Sequence, residues 1–145
     1  MTKSEEFKIS LVAQLKRHEG LCLTMYKDSL GIPTIGYGHK APQPITMEAA
    51  NHILQDDIGI AIHELDRHKP FWRTLPKEAM LVVANMTYNM GWPTFKEFVK
   101  FWAALESQAY QLASIEMRES RWYVQTGSRA EELVNLMKSC DTEVR

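Results

Sequence analysis

From Thr2 to His18 the apolar residues Phe7, Leu11, Val12 and Leu15 recur at helical spacing among Lys, Glu and Gln, the pattern of an amphipathic helix. T-x-x-E at Thr2 to Glu5 supplies a capping box at its start, and Gly20 predicts its stop. The pattern then changes. Leu21 to Tyr26 alternate as a strand does, Lys27 to Gly31 is turn-like, and Pro33 to Tyr37 reads as a return strand. Because Pro33 has no N–H to give a ladder, that strand is expected at a sheet edge.

Helical periodicity returns after the Pro-rich connector APQP at Ala41 to Pro44. Thr46 is a good N-cap for a long helix with Ala50, Leu54, Ile58, Ala61 and Leu65 on one stripe, which Pro70 ends. Pro76 suits the first turn of the next helix, and Met80 to Tyr88 form an apolar helix closed by Gly91. Further helices are predicted from Thr94 to about Glu106, from Gln108 to Glu119 and from Ser128 to Lys138, the first and last opening on T-x-x-E and S-x-x-E. The architecture implied is α+β: a small hairpin lobe, then a larger helical lobe, joined by the long helix.

Composition narrows the class. With 145 residues and 45% hydrophobic content, the chain is long enough for one cooperative domain burying ~68–70% of its unfolded surface. Cys22 and Cys140 are its only cysteines, and their spacing fits neither a redox pair nor a zinc site, so they read as reduced packing thiols in a reducing compartment. Seventeen basic and eighteen acidic side chains leave a formal charge of −1, which provides no field to draw in nucleic acid. The N-terminus lacks a signal-peptide h-region and no stretch approaches a membrane span, so a cytoplasmic, non-inserted protein is expected.

Candidate chemistry gathers between Glu19 and His39. Four of the seven glycines, Gly20, Gly31, Gly36 and Gly38, fall in EGLCLTMYKDSLGIPTIGYGH, where backbone must turn sharply or lie close to something. Glycosidic cleavage uses two carboxylates, one protonating the leaving oxygen and one activating water or stabilising positive charge on the sugar. Glu19 and Asp28 are the candidates. Fully extended chain would hold them roughly 30 Å apart, so they cooperate only if the backbone reverses at Gly20 and Gly31. Glu19 ends its helix, where the macrodipole disfavours the ionised form. An ordinary glutamic acid is only about 0.2% protonated at pH 7, so burial would have to supply most of the rest. Thr34, on the return strand, can direct its hydroxyl towards a water held by Asp28.

The combination E-x8-D-x5-T running into IGYGH resembles the phage lysozymes of the T-even type, endolysins of glycoside hydrolase family 24. The likeness continues in order through NMTYNMG at Asn85 to Gly91 and SRWYVQTGSR at Ser120 to Arg129. It implies a single lysozyme domain over 1–145, with lobes of approximately 12–58 and 1–11 plus 59–145. It also implies a muramidase that hydrolyses the β-1,4 bond between N-acetylmuramic acid and N-acetylglucosamine, with inversion. By this resemblance Glu19 is the proton donor, Asp28 its carboxylate partner and Thr34 the holder of the attacking water. His39 pairs with Asp57, while Lys40, Tyr88 and Asn89 line the sugar cleft. Arg129 sits in the first turn of a helix, where a cation opposes the macrodipole and a carboxylate partner would help explain it. The resemblance names Glu19, with Trp122, Tyr123 and Gln125 packing and hydrogen bonding around the arginine.

The implied partner is bacterial peptidoglycan, and a monomer is expected. A phage endolysin would be held in the host cytoplasm until a holin-type membrane protein releases it to the wall in the periplasm. No cofactor is expected. HELDRH at His63 to His68 nearly spells a zinc-protease motif, but histidines five apart stand about 140° from each other on a helix, so no metal is expected either. The chain departs from the family pattern in a short connector before Thr46, in its near-neutral charge, and in not keeping the polar cleft residues of the later helices, with Phe98 and Glu116 at the nearest matching places. Two rival readings are a lytic transglycosylase, which cuts the same bond without water, and a non-catalytic wall-binding module.

Overall fold

The computed structural model describes residues 1–141. The chain forms two compact units, Met1–Ala50 and a second from Asn51 onward. Together they carry a mostly helical α+β fold with one small antiparallel sheet near the N-terminus.

In the first unit, α1 (Lys3–Glu19) begins as its pattern predicts. Thr2 Oγ1 accepts from the Glu5 amide at 3.1 Å, and Gly20 ends the helix by donating its N–H to the Lys16 carbonyl. The sheet has three strands in the order β1 (Cys22–Lys27), β2 (Pro33–Gly36), β3 (His39–Lys40), both pairings antiparallel. This corrects the expectation of an edge for the return strand: β2 lies in the middle. Pro33 is tolerated there because it is the first residue of the strand, opposite Lys27, and its carbonyl accepts from Ala41 at 2.7 Å. The two residues of β3 are too few to leave a periodic signal.

The helix α2 (Met47–His68) crosses from one unit into the other, and Thr46 Oγ1 caps it by accepting from Ala49 at 3.1 Å. A 3-10 turn at Pro70–Thr74 follows. Asp66 binds that turn back to α2, taking Trp72 Nε1 at 2.7 Å and the Arg73 guanidinium at 2.9 and 2.8 Å. The Arg73 bond, followed by that of Trp72, holds the Asp66 carboxyl down at about 2.

Next come α3 (Lys77–Met90), α4 (Trp92–Phe95), α5 (Val99–Glu106), α6 (Tyr110–Arg118), α7 (Arg121–Thr126) and α8 (Ser128–Ser139). Three expectations are corrected here. The helix expected from Thr94 to Glu106 is two: Pro93 starts α4 in its first turn, and the chain breaks before Val99 to bring Phe95, Phe98 and Phe101 ring to ring. The helix expected from Gln108 starts at Tyr110, because Gln108 stands at φ 60 and closes α5 instead. Ser128 does not cap α8; Gly127 holds the cap position, while Ser120 caps the unanticipated α7 by accepting from Tyr123 at 3.2 Å.

The hydrophobic core belongs to the second unit, where Leu65, Val82, Val83, Met86, Phe95 and Val134 are wholly buried. Cys22 is a free thiol, and Cys140 lies inside this core.

Candidate active site

The loop between β1 and β2 is organised by Asp28. Its Oδ1 accepts from the amides of Leu30 and Ile32, each at 2.8 Å, and Oδ2 takes the Lys40 ammonium at 2.5 Å. Only 13% of the Asp28 side chain is exposed. The Lys40 bond first, then the Ile32 amide, keep its carboxyl below the usual carboxylate range, so Asp28 stands as an anion at neutral pH. Lys40 in turn is held charged by Asp28, with smaller contributions from Glu19 and Tyr26. Glu19 is the last residue of α1.

Thr34 lies in β2, between Tyr26 and Lys40 in the ladders, and is fully buried at 0% exposure. Its hydroxyl donates to the Ile32 carbonyl at 2.8 Å. With that proton engaged, Oγ1 faces any further partner as an acceptor. His39 pairs with Ile35 across β2 and β3.

In the second unit, Asp57 lies on α2, and Tyr88 and Asn89 lie near the end of α3. The Asn89 side-chain oxygen accepts from Trp122 Nε1 at 2.7 Å, which fixes its amide group. Arg129, in the first turn of α8, gives Nε and a terminal nitrogen to Asn85 Oδ1 at 3.0 and 2.6 Å. Trp122 and Tyr123 were expected to bond around this arginine, but Trp122 binds Asn89 and the Tyr123 hydroxyl donates to Glu131. Gln125 is exposed on α7. Tyr88 and Arg129 border a groove of about 610 Å³ whose apolar wall includes Leu54, Ile58, Met80 and Leu81.

An acid at the end of an N-terminal helix, a hairpin Asp fixed by lysine and amides, and a buried Thr on the next strand are the parts of one recognisable domain type. The phage lysozyme family model matches residues 16–138. The chain belongs to the phage lysozyme family. It is 26% identical to the pre-baseplate central spike protein Gp5 of Enterobacteria phage T4 over 93% of this chain, and spans only 28% of that protein's length. It is also 26% identical to probable T4-type lysozyme 2 of Dictyostelium discoideum, over 90% of this chain and 94% of that one. Against the endolysin of Salmonella phage P22 the identity is 39% over 32% of this chain and 38% of that protein.

For this member of the family, sequence reasoning passed over two residues. Asn85, the partner of Arg129, lies three positions before Tyr88 on α3, a spacing that puts both on one helix face. Gly38, in the turn between β2 and β3, lies against the Glu19 carboxylate. Its signal was the crowding of glycines, which marks close approach without naming what approaches.

Proposed function

We propose that this chain is a peptidoglycan hydrolase, an N-acetylmuramidase that cleaves the β-1,4 bond between N-acetylmuramic acid and N-acetylglucosamine. The observation that carries the reading is geometric: Asp28 is bonded to Lys40 and kept anionic, and the Glu19 carboxylate lies against Gly38, two residues before Lys40 on the same hairpin. Two acids in one small unit, one of them locked in its charged form, suit the division of labour in glycoside hydrolysis.

In this reading Glu19 protonates the glycosidic oxygen, and the Asp28 anion offsets positive charge developing on the sugar. A water held between Asp28 and Thr34, whose buried hydroxyl must first be uncovered, attacks the anomeric carbon and passes the proton it sheds to the Asp28 carboxylate. Attack from the face opposite the leaving group inverts the configuration. Lys40, Tyr88 and Asn89 bind sugar in this reading, with His39, Asp57, Gln125 and Arg129 in supporting roles. The likeness to a phage endolysin supports a role in host lysis: cytoplasmic retention, then release to the wall by a holin-type membrane protein.

The test is loss of turbidity of outer-membrane-stripped bacteria, followed by product analysis. Glu19→Gln is expected to lower the rate by about 10²–10⁴-fold, the usual worth of general acid catalysis, with an unchanged circular dichroism spectrum. Undiminished clearing by Glu19→Gln would favour the wall-binding module. Products ending in a 1,6-anhydro sugar would establish the transglycosylase instead.

A further inference from the structure

Gly36 and Gly38 flank Tyr37 at the turn into β3, and both have left-handed backbone, φ 75 and φ 77. Their surroundings differ. A Cβ added at Gly36 would meet nothing within 4 Å, whereas one at Gly38 would stand 2.5 Å from Glu19 Oε2, 2.9 Å from its Cδ and 3.2 Å from its Cγ. The bare Cα of Gly38 therefore occupies the limit of the space in which the Glu19 carboxylate lies.

The same turn touches α1 a second time. Lys16 Nζ stands 5.2 Å from the centre of the Tyr37 ring, within cation–π range. Lys16 and Glu19 are three residues apart and so share a face of α1. The tip of the hairpin, Tyr37 and Gly38, is apposed to that face, and the strand leaving it carries Lys40, on which the Glu19 and Asp28 charges both act.

We infer that Gly38 is a positioning residue for Glu19: its missing side chain lets the carboxylate lie against the hairpin, at a fixed place relative to Asp28. The inference rests on Glu19 being the proton donor, and it adds a specific requirement to that reading. Any Cβ at position 38 must drive the carboxylate away, and displacement of a reacting group by about 1 Å can cost on the order of 10²-fold in rate. Wall binding depends on the rest of the protein and is left alone.

The near-equal φ of Gly36 and Gly38 makes a matched experiment. Gly36→Ala and Gly38→Ala both place a side chain on left-handed backbone at near-equal φ, and only the second meets Glu19. In the full chain, Gly38→Ala is expected to lower kcat on stripped cell walls by about 10²-fold, with KM and wall binding near those of Gly36→Ala. The Glu19 Cδ resonance is expected to move in Gly38→Ala alone, together with loss of the wild-type nuclear Overhauser contact between Glu19 Hγ and the Hα of residue 38. If the two variants match in kcat and in the Glu19 resonance, the inference is overturned.

Stability supplies a second readout. Should Gly38→Ala melt well below Gly36→Ala, adding Glu19→Ala removes every atom in the clash and is expected to restore the melting temperature to the Gly36→Ala level. Failure to restore it also overturns the inference. A wild type inert on walls would sink the hydrolase reading, while the Glu19 resonance and the melting comparison would still decide the role of Gly38.

Discussion

Asp28 shows how one side chain can set both the shape and the charge of a site. Its Oδ1 closes the loop through the Leu30 and Ile32 amides, and its Oδ2 holds Lys40. Because the folded carboxyl is held below its ordinary value, the stabilisation it brings is present above about pH 4 and is lost as pH falls through the depressed folded value. Lys40→Met removes the largest cause and leaves the amides in place. The Asp28 carboxyl is then expected to titrate higher than in wild type, read from its Cγ resonance. The acid limb of the activity profile should move to higher pH with it. A Lys40→Met protein whose Asp28 resonance titrates as in wild type would remove Lys40 as the cause. Asp28 and Lys40 were legible as candidates from residue type and motif. Their bond was not, since it joins positions twelve apart in sequence through a strand pairing.

At the scale of elements, the end of α5 carries an instructive misfit. The Ala109 amide reaches back to the Ala104 carbonyl at 2.8 Å and the Gln108 amide to Leu105 at 3.0 Å, the bonds of a Schellman motif with Gln108 in the left-handed position that glycine usually fills. Gln108→Gly is therefore expected to stabilise the protein by about 1 kcal/mol, the strain it relieves, measured as a rise in the denaturant midpoint at unchanged slope. Gln108 has no signal of a helix end, which is why the next helix was expected to start on it. Helix starts fared better where the cap is local: Thr2 and Thr46 each accept an amide three residues on. Ser128 opens an S-x-x-E pattern, yet the cap position of α8 belongs to Gly127 and no side chain caps it.

Across the whole molecule, apolar burial is distributed unevenly. The buried core lies in the second unit, while Thr34 is the one buried residue among the described residues of the first. A three-stranded sheet without a packed interior is held by its ladder, its turns and the Asp28–Lys40 pair, so local opening should cost less there. Hydrogen exchange is expected to be slowest at Val82, Val83 and Met86 of α3 and faster in β1 to β3. Equal protection in the two would refute this division of stability. The sequence by itself determined what local chemistry controls: the first helix and its cap, the strand and turn after Gly20, the long helix from Thr46, and the acids around which a site could form. The tertiary structure alone decided that β2 lies inside its sheet, that Arg129 meets Asn85, that Lys40 closes on Asp28, and that Gly38 makes room for Glu19. Each of these depends on which distant backbone segments come within bonding distance, and no pattern of neighbouring residues encodes that distance.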